Sequence, residues 1–221
     1  GEGLGNQFLA NIRECDAIAY VLRCFENDDI THVEGRVDPL ADLETVETEL
    51  MLADLDSVEK RIPNLEKRAK GGDKEAKKNL ELCALAKEAL EKGLPARTVN
   101  VSEDDDKAWR MLQLLTAKPV LYVCNVDEGD AANGNAHSAR VLEKAKAEGA
   151  ESVIFSAKIE SEIAILPIEE RADYLDAIGL PEAGLDRMIR AGYHLLGLIT
   201  YFTVGPKETR AWTIVKGTKA P

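Results

Sequence analysis

Two short apolar runs, each ending in a distinctive polar cluster, constrain this chain more than any other feature. Pro119-Val120-Leu121-Tyr122-Val123-Cys124 stops abruptly at Asn125-Val126-Asp127-Glu128. About a helix later, Ser152-Val153-Ile154-Phe155 stops at Ser156-Ala157-Lys158. Continuous apolar runs of this length read as strands buried on both faces of a parallel sheet. Residues 17–22 (AIAYVL) form a third run of the same kind. Between the last two runs, residues 137–149 carry a helical period through Val141, Leu142 and Ala145 and close on Gly149. Strand, helices, strand, helix, strand is the alternation that an α/β fold with a parallel sheet requires.

The segments between and after these runs are mostly helical. Asp38-Pro39 announces a helix with Asp as N-cap and Pro in the first turn. Leu43, Val46, Leu50, Leu55, Val58, Ile62 and Leu65 then recur at three- to five-residue steps, with a stutter at Met51-Leu52 and a kink expected at Pro63. Gly71-Gly72 supplies a stop and Asp73 a fresh N-cap. A second amphipathic helix follows through Ala76, Leu80, Cys83 and Leu90. Together they predict an antiparallel, coiled-coil-like helical hairpin over residues 38–94, its charged outer faces serving solvation. Ser102-x-x-Asp105 opens a helix expected to run through Trp109, Leu112 and Leu115. After Lys158, helices are expected over 159–165, 167–178 and 185–198, and a β-hairpin from 198–204 and 211–215.

Composition excludes several function classes. A formal charge of -12 argues against broad DNA or phosphate-backbone binding, which needs clustered Lys and Arg. The four cysteines are scattered without C-x-x-C pairing, and the three histidines lack ligand spacing, so neither a zinc site nor a disulfide framework is expected. No apolar run is long enough to span a membrane. The start at Gly1-Glu2-Gly3 and the stop at Ala220-Pro221, just after a hairpin, lead to the expectation that the chain is part of a longer protein.

The polar clusters carry the chemistry. In open α/β sheets ligands sit in the crevice beyond the strand ends. There Asn125 is suited to hydrogen-bond a purine ring nitrogen while bracing its neighbouring loops. In an N-K-x-D arrangement the Asp accepts both guanine N–H groups. Here the acid is Glu128, one methylene longer, and position 126 is Val instead of Lys, which moves the expected base from guanine to adenine. Ser156 and Ala157 offer backbone groups to the base, and the stem of Lys158 can cover the ring face. Asn125, Val126, Glu128, Ser156, Ala157 and Lys158 are therefore the candidate base-binding residues. No G-x-x-x-x-G-K-[ST] occurs, so no phosphate-cradling nest, phosphate Lys or magnesium-binding Ser/Thr is present in the sequence. Asp176-Ala177-Ile178-Gly179 has the letters of a D-x-x-G magnesium loop, but its place at a helix end reads as a glycine stop. No catalytic and no metal-binding residue is assigned, and hydrolysis by this chain is not expected.

Several longer runs carry a resemblance. They are Gly3-Leu4-Gly5-Asn6-Gln7-Phe8-Leu9-Ala10-Asn11-Ile12-Arg13, then Arg23-Cys24-Phe25 through Ile30-Thr31-His32-Val33-Glu34-Gly35, and Leu195-Leu196-Gly197-Leu198-Ile199-Thr200. The hairpin Gly205-Pro206-Lys207-Glu208-Thr209-Arg210-Ala211-Trp212-Thr213-Ile214 and the tail Lys216-Gly217-Thr218-Lys219-Ala220-Pro221 fit the same pattern. In these runs the chain resembles the YchF/Obg-like ATPase family, also called EngD. The resemblance implies a partial P-loop NTPase G domain at 1–37 and 95–198, a helical coiled-coil insertion at 38–94 and the start of a TGS domain at 199–221. It implies a cytoplasmic, ribosome-associated ATPase that prefers ATP over GTP, with the large ribosomal subunit as partner. Mg2+ would serve the complete protein, its ligands being absent here. The implied alternative is a non-catalytic module that docks a ribosomal or protein partner through the coiled-coil arm and TGS domain.

Overall fold

A computed structural model describes residues 5–27 and 35–219. The glycine-rich lead-in at 1–4 and the Ile30–Glu34 part of the family-like run lie outside the described residues. The element order is α1 (Asn6–Glu14), β1 (Ile18–Arg23), α2 (Pro39–Lys70), α3 (Lys74–Glu91), α4 (Glu103–Met111), β2 (Val120–Asn125), α5 (Ala136–Glu148), β3 (Glu151–Phe155), α6 (Ala157–Ile165), α7 (Ile168–Ala177), α8 (Gly184–Leu195), β4 (Leu198–Val204) and β5 (Thr209–Val215). Short 3-10 turns occupy Ala96–Thr98 and Glu128–Asp130. The chain divides into two compact units, Gly1–Ile18 with Asp42–Lys118 and Ala19–Ala41 with Pro119–Pro221.

In the first unit, α2 and α3 are joined across Gly71-Gly72 and share one apolar cluster. Val58 and Leu65 of α2 meet Leu82, Cys83 and Ala86 of α3, and Trp109 of α4 and Leu112 just after it close the cluster. Asp73 caps α3 by accepting the Ala76 N–H at 3.0 Å, and Gly72 takes φ +90°, which only glycine adopts without strain. The helix continues unbroken through Pro63.

The buried face of α2 departs from the expected one. Val46 is 37% exposed, while Glu47 and Asp54 are buried. Neither carboxylate solvates the outer face: Glu47 accepts a short bond from Arg97, and Asp54 is wholly enclosed by donors. The N–H groups of Leu115 and Thr116 and the Thr116 hydroxyl each reach Asp54 at 2.8 Å, and Arg13 Nη1 lies at 3.3 Å. These donors also explain why α4 ends at Met111 and not beyond Leu115. Gln113 turns to φ +51°, and the following N–H groups are spent on Asp54 instead of on a helix. Ser102 opens α4 as expected, but its hydroxyl donates to Asp105 at 2.7 Å and caps no backbone N–H.

The second unit holds a three-stranded sheet in the order β1-β2-β3, with β2 and β3 parallel and Asn125 opposite Phe155. β2 is buried along its length, from Val120 to Cys124. β1 is not buried on both faces: Tyr20 and Leu22 point into the core, whereas Val21 is 63% exposed. α5 begins in a capping box, Asn135 Oδ1 accepting the Ser138 N–H at 3.1 Å and Ser138 Oγ accepting the Asn135 N–H at 2.8 Å. α8 packs closely on the sheet: a Cβ added at Gly184 would stand 2.5 Å from Phe155 Cβ. β4 and β5 pair antiparallel with Tyr201 opposite Trp212. Among the described residues no helix is long and apolar enough to cross a membrane.

Candidate nucleotide-base site

The register of β2 and β3 decides where the candidate residues stand. Because Asn125 lies opposite Phe155, the two polar clusters leave the sheet side by side. Two bonds tie them together: the Val126 N–H donates to Phe155 O at 2.9 Å, and the Ala157 N–H donates to Asn125 Oδ1 at 2.9 Å. The Asn125 amide is thus oriented with its oxygen committed, which leaves Nδ2 as its donor. A third bond joins the clusters at the rim, where Lys158 Nζ donates a short bond to Glu128 Oε2. All six candidate residues therefore come together at one end of the parallel pair.

Their roles differ by burial. Val126 is 2% exposed and fills the core below the loop. Ser156 is also 2% exposed, and its Oγ is a buried hydroxyl without a partner among the described residues. Glu128 and Lys158 are the accessible members, with side chains 39% and 63% exposed. The Lys158 ammonium is held above its ordinary range, chiefly by the bond to Glu128 and then by the field of Glu128, Glu162 and Asp127. The site thus offers one oriented amide donor, a buried hydroxyl and a neutralised acid–base pair at its rim. This equipment suits the edge and face of a planar heterocycle.

Sequence reasoning missed the groups behind this rim. Tyr174 of α7 donates a short bond to Glu162 Oε2, and that bond, with burial and the nearby carboxylates, pushes the phenol up to about 12. Glu160 Oε1 accepts the Gly184 N–H at 2.7 Å and fixes the start of α8. The four-residue step from Lys158 to Glu162 was a usable signal, since such pairs share a helix face. Tyr174 gave no sequence signal. Behind the site, Cys24 and Cys124 are buried thiols in contact, with Cys24 pushed up by the bond to Cys124 and by burial. The Cys24 N–H donates to Asn125 O at 2.8 Å, anchoring the strand end that presents the amide. Among the described residues no group of three or more His, Cys, Asp or Glu is placed to hold a metal ion.

In the first unit, a cleft of about 380 Å³ opens between α2, α3 and α4, lined among others by Lys60, Arg61, Asn64, Lys78 and Met111.

Comparison with known proteins points one way. Residues 198–221 match the family YchF-GTPase_C, described as a protein of unknown function (DUF933). The ribosome-binding ATPase YchF of Bacillus subtilis is 52% identical over 223 residues, covering 100% of this chain and 61% of the relative. That of Haemophilus influenzae is 53% identical over 221 residues, again covering 100% of this chain and 61% of the relative. The structure of the Schizosaccharomyces pombe YchF GTPase superposes with a TM-score of 0.86 at 33% identity, covering 100% of this chain and 60% of that one. The chain therefore spans about 61% of the length of the curated relatives it matches. Identity above half along its whole length, the family match at its C-terminal end and the likeness in structure together show strong homology of this chain to the YchF proteins.

Proposed function

We propose that this chain supplies the base-binding part of a ribosome-associated nucleotide-binding ATPase that takes ATP in preference to GTP. The observation that carries the proposal is the bond from the Ala157 N–H to Asn125 Oδ1, which orients the Asn125 amide beside Ser156 and Lys158 at adjacent strand ends. The preference for ATP rests on Glu128, whose carboxylate is already engaged by Lys158 and so is not free to receive the two guanine donors. The names of the relatives, ribosome-binding ATPase and GTPase, support nucleotide and ribosome as ligands of the whole protein. Cytoplasmic location and the large subunit as partner belong to the same proposal, as do a coiled-coil arm at 38–94 and a TGS start at 199–221.

Hydrolysis to ADP and phosphate is assigned to the complete protein. Phosphoryl transfer depends on positioned cations and backbone donors around the γ-phosphate, and this sequence contains no P-loop to provide them. The chain alone is expected to bind ATP weakly without turning it over. Titration of the chain with ATP, GTP and their diphosphates tests this. Saturable binding that weakens on Asn125→Ala supports it, and turnover by the purified chain refutes the assignment.

A second reading, docking of a partner without nucleotide chemistry, draws on exposed apolar groups in the β4–β5 hairpin. Phe202 is 68% exposed and Trp212 42%. Ribosome co-sedimentation separates the two readings. If Phe202→Ala with Trp212→Ala abolishes pelleting while the unmodified chain binds no nucleotide and Asn125→Ala still pellets, the docking reading stands alone.

A further inference from the structure

Lys158 stands between two carboxylates. One is Glu128, across the crevice from α6, and it holds the ammonium. The other is Glu162, four residues further along α6 and so on the same helix face. Glu162 is not idle. Tyr174 of α7 donates to its Oε2, while its Oε1 has no bond among the described residues. A raised phenol pKa of about 12 keeps Tyr174 protonated and donating near neutrality.

The consequence for a bound base follows from simple electrostatics. While Lys158 sits on Glu128, the rim presents a neutral pair. Adenine tolerates this, since its ring N1 is an acceptor that a bare carboxylate would repel. Guanine presents N1–H and N2–H donors at the same edge and gains only if the carboxylate is released. Release needs somewhere else for the ammonium to go, and Glu162, whose charge already acts on Lys158 together with that of Asp127, is the acceptor on the same helix face. Both members of the present pair are well exposed, so exchanging one partner for the other costs little.

We propose that Glu162, held by Tyr174, is a specificity-determining residue of the base site: it competes with Glu128 for Lys158 and so sets how far guanine is admitted. The proposal rests on the base-site reading above. It makes Lys158 a two-position side chain, with the Glu128-bound position favouring adenine and the Glu162-bound position admitting guanine.

The test uses two variants with opposite expected signs. Glu162→Gln removes the competitor, so the ratio of the GTP and ATP dissociation constants should rise about two- to fivefold, the range an exposed ion pair commands. Tyr174→Phe leaves both Glu162 oxygens free for Lys158, so the ratio should fall. General loosening of the fold would move both variants in one direction. Ratios that stay unchanged, or that move together, overturn the proposal. A readout without nucleotide keeps the two readings apart: in Glu128→Gln, NMR of the Lys158 side chain should show its ammonium transferred to Glu162. Failure of that transfer overturns the partner exchange even if both nucleotides bind. If the transfer is seen but neither nucleotide binds the unmodified chain, the base-site reading falls, and the specificity role falls with it.

Discussion

Replacing Asp54 by Ala tests how the first unit is held together, because this carboxylate is the most heavily engaged polar group in it. Asp54 is 0% exposed and accepts from Leu115 N–H, Thr116 N–H and Thr116 Oγ1, each at 2.8 Å. Arg13 completes the set at 3.3 Å. On truncation, the Thr116 hydroxyl keeps its role as acceptor for the Ala96 N–H at 3.0 Å. Arg13 keeps the Gln113 carbonyl at 2.8 Å. The two backbone N–H groups have no such fallback, and each buried donor left unpaired costs about 1–3 kcal/mol. Adding a partly orphaned guanidinium gives an expected loss of about 3–5 kcal/mol, the usual cost of removing one partner of a buried ion pair. That is a large share of the roughly 5–15 kcal/mol that stabilises an ordinary domain. Asp54→Asn keeps one acceptor oxygen and should lose about half as much. Because the chain has two units, unfolding should be followed by Trp109 fluorescence in a Trp212→Phe background. Trp109 lies in the core cluster of the first unit, so its signal reports that unit in a urea titration. As a control, Asp56→Ala removes only an exposed pair with Lys60 and should change stability by less than about 0.5 kcal/mol. A loss below about 1 kcal/mol for Asp54→Ala would mean that the carboxylate does not hold the Leu115–Thr116 segment in place.

Other outcomes follow from particular contacts. Asn135→Ala removes the side-chain half of the α5 capping box, leaving the Asn135 N–H on Ser138 Oγ, together with a 2.7 Å bond to Cys24 O, and should cost about 1–2 kcal/mol by thermal or urea unfolding. Gly184→Ala places a methyl 2.5 Å from Phe155 Cβ and should destabilise by about 1–3 kcal/mol, with shifted amide signals in β3. Of the four thiols only Cys15 is exposed, so labelling of the native chain with an aromatic disulfide reagent should show one fast thiol and three that react only on unfolding. Tyr174 ionises at about 12, above its ordinary 10, because its neutral form donates to Glu162. This bond therefore adds stability that is fully present below pH 10 and is lost as pH rises toward 12. In Glu162→Gln the tyrosine absorbance titration should move back toward the ordinary value.

The elements that contain buried apolar runs were legible in the sequence for a physical reason. The runs at 120–124 and 153–155 are unbroken apolar stretches bounded by polar residues, so their conformation follows from composition. The Asn125 and Ser156–Lys158 clusters were legible because both follow such runs directly. What composition could not reveal is burial driven by polar partners. Glu47 and Asp54 look like solvated helix residues until Arg97, Arg13 and the Leu115–Thr116 backbone arrive from distant parts of the chain. The premature end of α4 has the same origin, since a carboxylate 61 residues before Leu115 captures the N–H groups that follow the helix. The open face of β1 was misread for the opposite reason. An apolar run says that a face can be buried, but not that anything covers it, and Val21 is 63% exposed. Tyr174 could not be assigned because its role depends on how α7 folds back toward α6.

The central claim is that the oriented Asn125 amide, with Lys158 and Glu128 at its rim, receives a purine base. It is tested most directly by isothermal titration of the chain and of Asn125→Ala with ATP. Loss of the oriented Nδ2 donor in a partly desolvated site is worth about 1–3 kcal/mol, so the variant should bind at least about fivefold more weakly, with its fold unchanged by circular dichroism. Equal affinity for ATP in the two proteins would contradict the account.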